Sequence, residues 1–369
     1  MRLSYGTWLA VAAVATAGAA VALTSFEHPP VQTVQRGFRG TAMELVYNPR
    51  LVEAKASLNQ VPEAPEQADT DGPRAKETYE NVQVLGELSL GQFGRLMQSM
   101  TEWVSPEILD ANGDPVPAAP GTLERGCNYC HNPANYAEDS VYTKVVARRM
   151  LQMVKEINGN WQSHVGQTGV TCYTCHRGNP VPLNVWAQPP ANDRSRGSGF
   201  TADSARQNLA SAPVGLASLP YDVFAPYFEN AADIRVNGAT PLPEGNRHSI
   251  KQAEFTYGLM MHFSQALGVN CTYCHNSRAF ADWSQSSPQR TNAWHGIRMV
   301  RYIDANYIDP LKPVFPANRL GPNGDPLKAN CTTCHQGAYK PLYGAPMLRD
   351  HPELNLVAAP PAPPESARR

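Results

Sequence analysis

The sequence predicts a mainly α-helical protein with little strand, built as two related halves in which short helices are joined by long loops. Three observations predict it. The first is periodicity: segments 89–103, 142–157, 250–267 and 293–307 carry apolar residues at helical spacing. Phe93, Leu96, Met97 and Met100 share a face of the first segment, and Val146, Met150, Met153, Val154 and Ile157 share one of the second. Phe255, Leu259 and Met260 align on the third. The second observation is the count of breakers, 33 Pro and 27 Gly in 369 residues, which keeps helices short. The third is an internal repeat. Cys127-Asn-Tyr-Cys130-His131-Asn is echoed by Cys271-Thr-Tyr-Cys274-His275-Asn. Thr171-Cys172-Tyr-Thr-Cys175-His176-Arg-Gly is echoed by Asn330-Cys331-Thr-Thr-Cys334-His335-Gln-Gly, and Arg149-Met150 by Arg298-Met299.

These signals divide the chain. Residues 1–26 form an apolar leader and 27–88 an extended arm. Residues 89–180 form the first half, 181–249 a Pro/Gly-rich connection, 250–345 the second half, and 346–369 a Pro-rich tail. Each predicted helix precedes one Cys-x-x-Cys-His unit, so the recurring module is helix, loop, motif. Segment 104–126, with four prolines, reads as loop.

All eight cysteines fall into those four units, so none is left for a disulfide. Cys-x-x-Cys-His is the attachment signature of c-type haem: two thiols make thioethers to the porphyrin and the adjacent His binds the iron. A redox dithiol or a zinc site would explain one Cys-x-x-Cys. Neither explains a His after every one. The expectation is four covalent haems, with His131, His176, His275 and His335 as proximal iron ligands. Large buried cofactors also help to fill the core of a chain so rich in breakers. Charge is balanced, with 31 Lys+Arg against 32 Asp+Glu, which gives no bulk signal for nucleic acid.

Haem attachment of this kind is completed outside the cytoplasm in bacteria, so the motifs imply export. Residues 3–26 hold no charge for 24 positions after a basic start, long enough to span a bilayer. Ala17, Ala19 and Ala20 fit a cleavage site. Length favours a retained anchor with its N-terminus inside.

A low-spin haem used for electron transfer needs a second axial ligand, and Met raises the potential relative to His. The upstream helices offer Met97, Met150 and Met260, with Met100, Met153, Met261 and His262 as rivals. The repeat would offer Met299 to the fourth haem. The bland alternative is that each Met is core packing. His28, His164, His248, His262, His295 and His351 lie outside the motifs. A pseudo-two-fold axis relating the halves permits two rows of haems, 1-2-4-3 or 2-1-3-4.

Several stretches carry a resemblance. Segment 141–182, with VVARRM and HVGQTGVTCYTCHRGNPVP, is similar to the tetrahaem cytochrome subunit of purple-bacterial photosynthetic reaction centres. So are LMMHFSQALGVNCTYCHN, SPQR, WHGIRMVR and NCTTCHQGAYKPLYGA, in order, across about residues 37–354. The resemblance implies three His/Met haems and one His/His haem. Carried over by position, Met97 pairs with His131, Met150 with His176, Met260 with His275, and His164 with His335, which leaves Met299 to packing. His164 leads into the second motif, so haem 4 sits beside haem 2 and the row runs 1-2-4-3, with haem 3 facing the reaction centre. Arg290 of SPQR matches an arginine that raises the potential of haem 3.

The implied function is re-reduction of the photo-oxidised bacteriochlorophyll special pair, in partnership with the membrane subunits that carry it. The donor is a soluble periplasmic cytochrome c or a high-potential iron–sulfur protein, and no bond chemistry occurs on the chain. Segment 37–50 resembles the arm that lies along the membrane subunits. Two departures stand out: no N-terminal cysteine for lipid, and a longer loop at 104–126. Anchoring then falls to 3–26 or to subunit contacts. The rival readings are a membrane-anchored tetrahaem quinol dehydrogenase, which leans on His ligands, and a multihaem reductase with an open iron.

Overall fold

The computed structural model describes residues 4–25, 31–36, 43–119, 121–190, 212–217, 219–220, 222–236 and 249–356. His28, His248, the part of the arm at 37–42 and the tail from 357 lie outside them. The described fold is mainly helical. Helix α1 (Tyr5–Ser25) carries no charged residue and none of it is buried in the fold. Its 21 residues are long and apolar enough to cross a membrane. Thr16 and Thr24 return their hydroxyls to the carbonyls of Ala12 and Ala20, both at 2.8 Å, so their polar atoms are satisfied inside the helix.

The arm holds the strand of the described structure, an antiparallel pair of β1 (Gln32–Arg36) and β2 (Met43–Tyr47) with Gln32 opposite Tyr47. Strand β2 lies against the Cys271–Tyr273 turn of the third motif. Helix α2 (Pro49–Ala56) begins with Asn48 accepting from Arg50 N and Pro at its first position, a strong start signal.

Helices α3 (Leu90–Val104) and α6 (Ile250–Leu267) are built alike. Ser89 and Gln92 form a capping box on α3, and Ser249 and Gln252 form one on α6. Arg95, Leu96, Ser99 and Trp103 are the buried face of α3; Gly258, Leu259, His262 and Ala266 are that of α6. Every member of the second set lies 163 residues after its counterpart, and Met97 and Met260 share that offset.

Helix α4 (Tyr142–Asn160) buries Leu151, Val154 and Ile157. Helix α7 (Pro288–Ile303) starts five residues before the periodicity suggests, because Ser287 precedes Pro288 at the first helical position. After Ile303 the chain continues as a wider turn, Asp304–Ile308, rather than as α-helix. Met299 is 6% exposed and belongs to the first apolar core.

That core joins α3, α4 and α7 to Met347, Leu348 and Leu354. A second core gathers Leu259, Ile297 and Val300 around Val214, Val223, Phe224, Tyr227 and Phe228. Part of the connection between halves is therefore core, because its aromatic residues are worth burying. The stretch 346–356 is likewise packed rather than a free tail: Leu354 is fully buried, and Glu353 meets Arg95.

Arg95 is the clasp. Its Nε donates to Glu66 O at 2.7 Å and its Nη2 to Pro65 O at 3.0 Å. Nη1 faces His351 Nδ1 at 3.1 Å and Glu353 Oε1 at 3.4 Å. Both charged side chains are nearly inaccessible, at 6% and 3%. Replacing Arg95 with Ala leaves Glu353 buried and unpaired, so the expected loss is about 3–5 kcal/mol in denaturant titration. Arg95→Lys will recover little of it, because one ammonium cannot reproduce a planar fork that serves two carbonyls and a carboxylate at once.

Candidate haem sites

The four motifs fold in two styles, and the styles follow the repeat. The first and third are single 3-10 turns, Gly126–Tyr129 and Cys271–Tyr273. In each, the His N–H closes on the carbonyl of the first Cys at 3.0 Å. The second and fourth are short helices, α5 (Cys172–His176) and α8 (Cys331–His335), capped by Thr171 with Thr174 and by Asn330 with Thr333. Both end in a left-handed residue, Arg177 at φ 47° and Gln336 at φ 46°. A glycine at positive φ follows each: Gly178 N donates to Trp103 O and Gly337 N to Ala266 O, both at 2.7 Å. Thus α3 is locked to α5, and α6 to α8.

The four motif histidines are oriented by one device. His131 Nδ1 meets Tyr136 O at 3.1 Å and His275 Nδ1 meets Phe280 O at 2.9 Å, each five residues on. His176 Nδ1 meets Asn179 O and His335 Nδ1 meets Ala338 O, both at 2.9 Å and three residues on. A carbonyl can only accept, so Nδ1 carries the proton and Nε2 keeps its lone pair for a metal. Burial lowers the pKa of His176 and His275 and takes His335 down to about 4, which favours the neutral ligand form. No sequence pattern signals these carbonyls.

His164 stands on the single turn Gln162–Val165 and uses the same device: its Nδ1 lies 3.0 Å from Asn292 O and 2.8 Å from Asn292 Oδ1. Its ring centre is 6.2 Å from that of His335. Two imidazoles on opposite sides of one metal, each nitrogen about 2 Å from it, put their ring centres about 6 Å apart. The pair therefore fits a haem iron. Gly296 makes room: a Cβ there would stand 2.6 Å from His164 Cε1. A glycine inside an otherwise helical stretch is the sequence signal that marks such an approach.

Motifs 2 and 4 touch. Cys175 Sγ and Cys334 Sγ are 2.6 Å apart, and Arg177 Nη2 donates to Cys334 O at 2.8 Å. Asn59, 5% exposed, ties them further: its Nδ2 reaches Gln336 O at 3.4 Å and its Oδ1 accepts from Arg177 Nη1 at 3.2 Å. Burial pushes Cys130 and Cys274 up to about 11, and Cys172 and Cys331 up to about 12. Cys127 and Cys271 are exposed. Among the described residues no three His, Cys, Asp or Glu side chains gather as a metal cluster.

Met97 and Met150 are half-buried against the first core, with Met100 and Met153, and Met260 is half-buried against the second. Arg290 lies over Trp283, 4.0 Å from its ring centre, and donates to Ser286 Oγ at 2.7 Å; its charge bears on Cys274 and His275. Of the remaining histidines, His351 is in the Arg95 clasp and His295 follows exposed Trp294. His262 is 1% exposed, edge-on to Phe224 at 4.7 Å. Burial, and secondarily His335, takes its pKa down to about 3.

A model of the photosynthetic reaction centre cytochrome c subunit matches residues 27–355. The chain belongs to this family. It is 50% identical over 343 residues to the photosynthetic reaction center cytochrome c subunit of Rubrivivax gelatinosus, covering 92% of this chain and 88% of that one. The corresponding subunit of Thermochromatium tepidum is 49% identical over 340 residues, 92% of this chain and 79% of that one. That of Roseobacter denitrificans is 37% identical over 370 residues, 95% and 93%. A reaction centre cytochrome c subunit is an electron carrier and not an enzyme, it holds c-type haem, and with its apolar helix α1 it is membrane-associated.

In this reaction centre cytochrome the His164 ring depends on Gly296. Gly296→Ala is expected to displace the His164 ring, read as a changed low-spin haem spectrum in electron paramagnetic resonance. Gly94→Ala, where a Cβ meets nothing within 4 Å, is the control and should change no haem signal.

Proposed function

We propose that this subunit carries four c-type haems in the row 1-2-4-3 and uses them to re-reduce the photo-oxidised special pair. Electrons enter at the outer haem from a soluble periplasmic cytochrome c or high-potential iron–sulfur protein. They leave from haem 3. The observation that carries this reading is the His164–His335 pair, because a side chain leading into motif 2 stands over the histidine of motif 4. The Cys175–Cys334 contact and the Arg177 bridge also support haems 2 and 4 as neighbours. Helix α3, against both motif 1 and α5, supports haems 1 and 2 as neighbours, and α6 on α8 supports 3 and 4.

The halves, 89–180 and 250–345, are read as related by a pseudo-two-fold axis, which the shared burial pattern of α3 and α6 supports. That offset also favours Met97 and Met260 as ligands: Met100 falls opposite Phe263, and Met261 opposite Gln98. Met97 serves His131, Met150 serves His176, and Met260 serves His275. When bound, the haems supply reversible one-electron iron chemistry. The chain's own groups hold the ligands, set spacing and tune charge. Arg290 places a cation beside motif 3, which disfavours the ferric charge and raises the potential of haem 3. The subunit sits on the periplasmic face of the photosynthetic membrane, with α1 as an uncleaved anchor.

The test is flash spectroscopy on membranes poised to keep the haems reduced. A c-type haem should be oxidised in step with reduction of the special pair. Haems that ignore the flash but are reduced by quinol would replace this reading with a dehydrogenase. In the same preparation, His164→Met should raise the midpoint potential of one haem and no other, since thioether replaces imidazole.

A further inference from the structure

His164 differs from the four motif histidines in what its Nδ1 meets. Among the described residues each motif histidine faces one main-chain carbonyl, three or five residues further along the chain. His164 faces two acceptors, and both belong to a residue of the other half: the Asn292 carbonyl at 3.0 Å and the Asn292 side-chain Oδ1 at 2.8 Å. A main-chain carbonyl can only accept, so Nδ1 is the donor. The carboxamide must then turn its oxygen, and not its nitrogen, toward the ring.

Asn292 and Gly296 lie one turn apart on α7. In an α-helix the carbonyl of residue 292 is engaged by the N–H of residue 296, and a side chain at 296 leans back over it. Gly296 has none, and a Cβ there would stand 2.6 Å from His164 Cε1. The ring therefore reaches the helix backbone, and the Asn292 side chain closes on the same nitrogen. Counting from the paired Arg-Met dipeptides, Asn292 falls opposite Thr143. Thr143 is buried and donates its hydroxyl to Tyr129 O inside motif 1. In the first half this helix position holds the adjoining motif; in the second it holds a ligand candidate that has crossed from the first.

One carbonyl is enough to orient an imidazole, as the motif histidines show. The second acceptor is surplus to that task, and its effect is electronic. A hydrogen bond from the free N–H makes a metal-bound imidazole more basic. A more basic ligand gives the iron more electron density and favours the ferric state. We propose that Asn292 is a positioning residue that sets the potential of haem 4: its side-chain oxygen holds the Nδ1 proton of His164 and lowers the midpoint of that haem. The inference rests on the His164–His335 ligation proposed above. Asn292 is exposed on the outer side of α7, so replacing it opens no core.

The experiment uses the intact reaction centre complex and a redox titration that resolves each haem. His164→Met first identifies haem 4; if it moves no midpoint, the ligation reading falls and this inference with it. Asn292→Leu, close in size and without an acceptor, is expected to raise the midpoint of that same haem. Its low-spin spectrum should persist, because the main-chain carbonyl still fixes the ring. Asn292→Asp, which keeps the acceptor and adds charge, is expected to lower the midpoint. The other three haems should not move. Infrared redox-difference spectra at that potential read the imidazole C–N stretch, which follows hydrogen bonding at Nδ1–H, and it should shift in opposite senses in the two variants. A response to His164→Met with none to Asn292→Leu would overturn this inference alone. So would shifts of the same sign in both Asn292 variants, the mark of a helix that is merely disturbed. Should Asn292→Leu not assemble, Asn292→Asp decides: a lowered midpoint at haem 4 supports the proposal, and an unchanged or raised one overturns it.

Discussion

Among the described residues, the imidazoles of His131, His164, His176, His275 and His335 are each tied through Nδ1 to a main-chain carbonyl, and the local architecture serves to hold those carbonyls still. A free imidazole chooses its tautomer and spins about its bonds. One whose Nδ1 proton is pinned presents a single lone pair in a single direction. The 3-10 turns of motifs 1 and 3 bring the acceptor back after five residues, and the left-handed exits of motifs 2 and 4 bring it back after three. Gly178 and Gly337 then fasten the second style to α3 and α6. The ligand geometry is thus prepared by backbone, which is stiffer than side chain, and electron transfer benefits from ligands that do not move when the charge changes.

The repeat is kept where the two halves do the same work and broken where they do not. Helices α3 and α6 match position for position along their buried faces. Helices α4 and α7 do not. Counting from the paired Arg-Met dipeptides, Gly296 falls opposite Ala147. That one methyl group separates a helix that can receive the ring of His164 from one that cannot. Met299, the residue that simple repetition would assign to haem 4, is absorbed into the first core.

Much of this was legible in the sequence. The four motifs announce themselves by composition and spacing, and four helices follow from periodicity with ends displaced by a few residues. What was not legible is non-local. Nothing near Arg95 says that Glu353 will meet it, and nothing near Cys175 says that Cys334 will. Proline content made 181–249 read as a connection, while its aromatic residues between 223 and 228 carry the second core. The pairing of His164 with His335 came from resemblance and not from periodicity, because a ligand that crosses between halves contradicts the symmetry that periodicity reveals.

The crossing of His164 also bears on how the molecule is made. The chain is synthesised from its N-terminus, and His164 precedes His335 by 171 residues. At about 5–20 residues per second, roughly ten to thirty seconds pass before the partner exists. Through that interval the first half holds an imidazole with nothing opposite it and a motif whose neighbour has not yet been translated. The His164–His335 pair therefore cannot form until α8 has been made, while the ligand candidates Met97, His131, Met150 and His176 all lie in the half made first.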